Sequence, residues 1–232
     1  MRFSAPLLQG VFLRRYKRFF ADIALDSGET VTAHTPNTGT LRTCTDAGAL
    51  AYVSTSDNPR RKLRYTWELV QSGPGLVGVN TALANALAEE AVRAGRIPAL
   101  RGYGALRREV CYGANSRVDL LLEDEARPPC YLEVKNVSMG RAGVAAFPDA
   151  VSARASRHMA ELVAQVRAGR RAAVLFAVQR MDCDRFEPAD DIDPAYGRAL
   201  REAAAAGVEV LAWRAEVSPA GIELVAPLPV RL

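Results

Sequence analysis

The spacing of apolar and polar positions changes character near residue 80. Before it, short apolar-rich runs, FLRRYKRFFADIAL, TVTAHT, YVSTSD and YTWELVQ, are separated by turn-forming clusters such as Asp26, Ser27 and Gly28 and the loop Pro36, Asn37, Thr38 and Gly39. Short strands punctuated this often predict a small antiparallel, OB-like barrel. The segment QSGPGLVG, Gln71 to Gly78, is read as a linker turn, which divides the chain into domains 1–78 and 79–232.

From Asn80 onward the period lengthens. Leu83, Leu87 and Ala91 recur at helical spacing and predict a helix ending near Gly95. EVCYGANSRVDLLLED predicts two strands joined through Gly113 to Ser116, and PCYLEVKNVSM a third. A helix from Pro148 to Gly169 would align Val151, Ala155, His158, Leu162 and Val166 on or near one face. AAVLFAVQR, apolar without alternation, has the pattern of a central strand buried on both faces. A helix from about Pro194 to Ala206 and the strand VEVLAWRAEV complete a mixed sheet flanked by helices, an α/β domain after an all-β one.

At 232 residues and 49% hydrophobic, the chain has the material of a soluble globular protein. No apolar run is long enough to span a bilayer, and arginines interrupt the N-terminal stretch where a secretory core would lie, so a cytoplasmic location is expected. Cys44, Cys111, Cys130 and Cys183 are widely spaced, which argues against a disulfide framework or a structural zinc site. Charge is unevenly shared: residues 1–80 hold ten Lys or Arg against six acids, and so carry the whole net charge of +4. It is concentrated in two clusters, Arg14, Arg15, Lys17 and Arg18, then Arg60, Arg61, Lys62 and Arg64. Such clusters beside Tyr16, Phe19, Phe20, Tyr65 and Trp67 suit a groove that grips phosphates and stacks bases. For Phe19, Phe20 and Trp67, core packing is the stronger expectation. For the clusters, phosphate contact outranks a solvated face, because like charges so close together repel unless an anion offsets them.

The chemistry concentrates in Asp119, on one expected strand, and Glu133 and Lys135, on the next. Alternation along a strand projects Glu133 and Lys135 from one face and turns Val134 into the core. Two carboxylates are hard oxygen ligands of the kind Mg²⁺ or Mn²⁺ takes, and an ammonium beside them offsets phosphate charge. The pattern resembles the PD-(D/E)XK nuclease superfamily, which implies metal-dependent phosphodiester hydrolysis, with Asp119 and Glu133 as metal ligands and Glu89 or Glu90 on the preceding helix completing the site. Val118 stands where that superfamily has its proline.

The blocks RRYKRFFADI, HTPNTGTL, STSDNPRRKLRYTWEL, VNTALAN, YGANSRVD, YLEVKNV and FPDAVSARASRHMAEL occur in order, with GVEVLAWRAEV near the end. Together they resemble the sugar fermentation stimulation protein A (SfsA) family. The resemblance implies an OB-like barrel joined to a nuclease-like domain, non-specific DNA binding and regulation of sugar metabolism; Ser156 replaces a glutamine of the family's pattern. A non-catalytic DNA-binding regulator on a nuclease scaffold is the alternative to an enzyme. RNA stays open as a partner, since an OB-like groove takes either nucleic acid, and the habit of DNA-binding proteins makes a homodimer the expected assembly. His34 reads as a loop-stabilising residue. His158 shares a helix face with Arg154, and the two meet phosphate only if that face borders the Asp119 pocket.

Overall fold

The structure, a computed structural model, describes residues 1–112 and 116–232. The expected connection through Gly113 to Ser116 thus lies, apart from Ser116, outside the described residues.

The N-terminal unit comprises β1 (Leu8–Tyr16), β2 (Phe20–Leu25), β3 (Thr30–His34), β4 (Leu50–Thr55), β5 (Tyr65–Ser72) and β6 (Gly75–Gly78). Their order is β3-β2-β1-β4-β5-β6, and parallel pairing of β3 with β5 at Ala33↔Tyr65 and His34↔Thr66 closes the first five into an OB-like barrel. Closure removes the free strand edges that a small sheet would otherwise expose. Inside, the Phe12 ring stacks on Trp67 with centroids 4.8 Å apart, and the Trp67 indole N–H donates to the Leu69 carbonyl at 3.0 Å. Gly10 permits the tight contact of β1 and β2, since a Cβ there would sit 2.4 Å from the Ala24 carbonyl oxygen.

Two sequence readings change here. FLRRYKRFFADIAL folds back at Lys17 and Arg18, which both take positive φ (47° and 62°), so Tyr16 pairs with Phe20. QSGPGLVG is no linker: Gly73 turns the chain so that Leu76 and Val77 pair with Gln71 and Val70, and Gly78 N–H donates to the Gln179 carbonyl at 2.8 Å. The glycine and proline make a hairpin turn, and their apolar neighbours join the barrel to the second unit.

That unit runs α1 (Ala84–Arg93), β7 (Ala105–Tyr112), β8 (Ser116–Asp124), β9 (Arg127–Val137), β10 (Gly140–Arg141), β11 (Val144–Phe147), α2 (Ala153–Arg167), β12 (Arg171–Val178), β13 (Arg185–Pro188), α3 (Pro194–Ala205), β14 (Glu209–Ser218) and β15 (Gly221–Pro227). The main sheet has the order β15-β14-β12-β9-β8-β7, parallel across β9, β12 and β14 and antiparallel elsewhere. Leu87, Ala88 and Ala91 of α1 pack with Leu132 and Val134 on one face. Met159 and Leu162 of α2 and Leu200 of α3 pack with Val174 and Phe176 on the other. β12 is buried throughout after Arg171, as its unbroken apolar run predicts.

α2 begins later than its Pro148 signal suggested. Ser152 caps it, its hydroxyl accepting the Ala155 N–H at 3.2 Å, while Pro148 to Val151 stay extended or bent and Val151 is 75% exposed. A side-chain acceptor at the first turn outweighs a proline four residues earlier. Before α1, Asn80 caps a single tight turn, Thr81–Leu83.

Candidate metal and phosphodiester site

The site lies where β8 and β9 part. Their pairing begins at Leu120↔Leu132, so the chain before Leu120 diverges from β9. Asp119 fills the gap: its Oδ2 accepts the Val134 N–H at 2.7 Å, and its Oδ1 accepts the Asn85 amide of α1 at 2.9 Å. Asp119 thereby satisfies a buried donor that the sheet leaves unpaired. On β9, Val134 joins the core beneath α1, and Glu133 and Lys135 project from the other face toward α2.

Glu133 is 2% exposed. Its Oε1 accepts the Lys135 ammonium at 2.7 Å and also Nδ1–H of His158, whose Nε2 accepts from the Arg154 guanidinium at 3.3 Å. With Nε2 accepting, Nδ1 carries the ring proton. The α2 face bearing Arg154 and His158 therefore does border the Asp119 pocket. Sequence spacing could pair these two side chains but could not say what they would face.

Burial, then the neighbouring Glu133 charge, pushes the Asp119 carboxyl up to about 6. Burial acts on Glu133 in the same sense, but the His158 hydrogen bond and the Lys135 charge outweigh it and hold Glu133 below the usual carboxylate range. One acid is thus firmly ionised, and the other is poised close to neutrality. Glu133 Oε2 is buried without a partner among the described residues. Two adjacent carboxylates, one with an unsatisfied buried oxygen, fit a divalent cation that takes its remaining ligands from water and phosphate. Among the described residues no three ligating side chains form a ready-made cage.

The structure does not bring Glu89 or Glu90 to these acids. The Glu89 carboxylate is engaged by Arg93 at 2.8 Å and by Arg108. Glu90 points toward the N-terminal ammonium, 2.8 Å away, and Arg96. From α1 it is Asn85, one turn before Glu89, that reaches Asp119. Neither periodicity nor composition singles out Asn85, because an asparagine in a helix carries no signal until the strand beside it is known.

The two cationic clusters part company in space. The first borders a cleft of about 940 Å³ between the barrel and the second unit, walled by Arg14 to Arg18 and Asn37 to Thr40 on one side and by Asn136 to Met139 and Phe147 to Ser152 on the other. Asn136 directly follows Lys135, so the cleft starts at the candidate site's own strand. Arg14 pairs with Asp22 at 2.8 Å. Arg15 is a clamp, donating to the carbonyls of Asn37 at 2.7 Å, Gly39 at 2.9 Å and Arg18 at 3.0 Å. Lys17 and Arg18 stand exposed on the β1–β2 turn, and Phe19 beside them is 43% exposed rather than buried in the core. Phe20 is half-buried and stacks on Tyr16 at 5.4 Å, while Trp67 is core. The second cluster borders a separate depression near Ser56 to Pro59, where Arg61 donates to the Thr66 hydroxyl at 2.8 Å and Arg64 lies over the Tyr65 ring. His34 ends β3, half-buried and opposite Phe20.

Fold and site together define a two-unit protein: an OB-like barrel welded to a mixed-sheet α/β domain with an acid, an acid and a lysine at the divergence of two strands. Residues 13–79 match the family described as the SfsA N-terminal OB domain, and residues 82–221 the one described as the sugar fermentation stimulation protein RE domain. The chain belongs to the sugar fermentation stimulation protein (SfsA) family. It is 55% identical to the sugar fermentation stimulation protein homolog of Maricaulis maris, covering 100% of this chain and 99% of that one. To the homolog of Alkalilimnicola ehrlichii it is 57% identical, with 99% of each chain covered. Among solved structures, that of Pyrococcus furiosus SfsA in complex with Ca²⁺ superposes with a TM-score of 0.91 at 28% identity, over 100% of this chain and 98% of that one. No described helix is long and apolar enough to cross a membrane.

Proposed function

We propose that this protein binds DNA with little sequence preference and hydrolyses phosphodiester bonds with Mg²⁺ or Mn²⁺. The observation that supports the reading is Asp119 accepting the Val134 N–H, next along the chain to Glu133, with the Lys135 ammonium 2.7 Å from Glu133. Asp119 and Glu133 would hold the cation, which supplies positive charge to the phosphate when bound. The Ca²⁺ complex of the Pyrococcus furiosus relative supports an oxygen-ligand site in this family. Lys135, whose ammonium sits 2.7 Å from Glu133, would neutralise a phosphate oxygen. His158 and Arg154 fix the Glu133 carboxylate so that its second oxygen faces the substrate. In hydrolysis a water attacks phosphorus, the bond from phosphorus to the leaving oxygen breaks, and that oxygen takes up a proton. Lys17, Arg18 and, farther off, Arg60, Arg61, Lys62 and Arg64 contribute sequence-independent phosphate contacts, while Arg14 and Arg15 shape the cleft wall. The protein acts inside the cell, where its DNA is.

A second reading, a DNA-binding regulator that does not cut, draws on the fact that both Asp119 oxygens are taken by Val134 and Asn85. One experiment separates them. Purified protein, Asp119→Ala and Lys135→Ala are incubated with labelled single- and double-stranded DNA in Mg²⁺, Mn²⁺ or EDTA, with matched RNA and a parallel binding measurement. Metal-dependent cleavage by the parent alone, with binding retained in both variants, establishes the nuclease. Binding without cleavage by any of the three leaves the regulator.

A further inference from the structure

Helix α2 brings a third carboxylate to the site. Glu161 lies three residues after His158, so the two share a helix face, and its Oε1 accepts the Ser116 hydroxyl of β8 at 2.5 Å. Its Oε2 is buried with no partner among the described residues, and so are Glu133 Oε2 and the hydroxyl of Tyr112, a side chain 6% exposed at the end of β7. These groups are neighbours: burial, then the charges of Glu133 and Glu161 and the approach of the phenol to the Glu161 carboxylate, push the Tyr112 phenol far above its ordinary range, and Asp119 adds to the effect; Tyr112 thus faces Glu161 without completing a hydrogen bond of normal geometry.

Native proteins rarely bury a polar atom without a partner, and three beside one pocket imply a shared one. The Tyr112 hydroxyl has a single proton and can serve only one carboxylate. Lys135 and His158 already act on the other oxygen of Glu133. A lone water could accept from Tyr112 and donate to both carboxylates, but it would leave three acids, Asp119, Glu133 and Glu161, offset by Lys135 and, at one remove through His158, by Arg154. A hydrated divalent cation supplies both the hydrogen bonds and the charge, since Mg²⁺-type ions keep several waters and use only one or two carboxylates directly.

We propose that Glu161 is the outer anchor of a divalent-cation site whose direct ligands are Asp119 and Glu133: its free Oε2, with the Tyr112 hydroxyl, holds water of the cation's hydration shell. The proposal rests on reading Asp119 and Glu133 as a cation site. It assigns the helix-borne carboxylate to α2 rather than to Glu89 on α1, whose oxygens belong to Arg93 and Arg108. Glu161 is a positioning residue, acting through water on the ion.

The test is direct Mn²⁺ binding to the full chain without DNA, by titration calorimetry and by loss of the free-ion paramagnetic resonance signal. Removing an outer-shell partner typically weakens metal affinity by about 10- to 100-fold. Glu161→Gln is expected to weaken Mn²⁺ binding by about that factor, with thermal unfolding in EDTA close to the parent's, while Glu89→Gln binds like the parent. If Glu161→Gln does not fold, Tyr112→Phe and Ser116→Ala, which remove the hydroxyl and release the other oxygen of Glu161, must each weaken Mn²⁺. Parent-like binding by Glu161→Gln, or by either substitute, alongside loss in Glu133→Gln, overturns the role of Glu161 and leaves the two-carboxylate site standing. Failure of the parent to bind Mn²⁺ at millimolar concentration overturns both.

Discussion

His158 and Lys135 donate to one and the same oxygen of Glu133, His158 from a helix and Lys135 from Glu133's own strand. That convergence keeps a nearly inaccessible carboxylate ionised and leaves its other oxygen free. His158→Ala would leave it with one donor fewer in a buried place. The expected cost is about 1–3 kcal/mol, typical of a buried group left unsatisfied, read as a lower urea midpoint. His158→Asn, which retains a donor, should recover part of it. An unchanged midpoint in the alanine variant would mean that the bond contributes nothing to folding.

The first basic cluster should divide by role. Lys17 and Arg18 are exposed on a turn, whereas Arg15 ties together three backbone carbonyls. If the barrel grips DNA, Lys17→Ala and Arg18→Ala should each weaken binding and lower the slope of log affinity against log salt by about 1. Arg15→Ala should instead lower the melting temperature, because the Asn37 to Gly39 loop loses its donors. Equal salt slopes in all variants would remove the turn from the DNA interface.

The barrel core depends on Trp67, which is fully buried against Phe12. Trp67→Ala should cost about 3–5 kcal/mol, as large aromatic truncations do. Far-ultraviolet circular dichroism during denaturation would show it, and because β6 bonds to Gln179, destabilisation should spread to the α/β unit rather than stop at residue 78.

Thiol chemistry should be selective. Burial pushes Cys44 and Cys183 up to about 11 and Cys130 up to about 12, while Cys111 is exposed. Iodoacetamide at pH 8 should label Cys111 in the native protein and the other three only after unfolding, as peptide mapping would show. The same shifts set a pH dependence: an unfolded thiol ionises near 8.5, so between there and about 11 the unfolded chain releases protons that the folded one retains. Stability contributed by these thiols is full below that window and falls as pH rises through it.

Much of this protein can be read from local pattern. The switch from short strands to alanine-rich helical spacing marks two units, the unbroken run AAVLFAVQR is the buried β12, and alternation alone puts Glu133 and Lys135 on one face with Val134 beneath. These follow from the strand and helix periods, which any stretch of sequence carries within itself. The turn at Lys17 and Arg18 is harder to see, because neither residue is a common choice for positive φ. The hairpin inside QSGPGLVG is equally hidden, since glycine and proline announce a turn without saying whether the chain then leaves or returns.

What tertiary structure alone decided is which side chains share a space. Glu89 and Glu90 sit at the right distance along the chain, yet arginines and the N-terminal ammonium draw their carboxylates elsewhere. Asn85, His158, Glu161 and Tyr112 come to the acids from three separate elements; of these only His158 stands out in the sequence, through its spacing from Arg154, and that spacing cannot say what the shared face meets. The sequence by itself determined the strand-borne acid, acid and lysine, whose relation is set by a two-residue period and one hairpin. The surrounding shell depends on how α1 and α2 dock on opposite faces of the sheet, which is fixed by packing of distant apolar surfaces and so leaves no trace in local spacing.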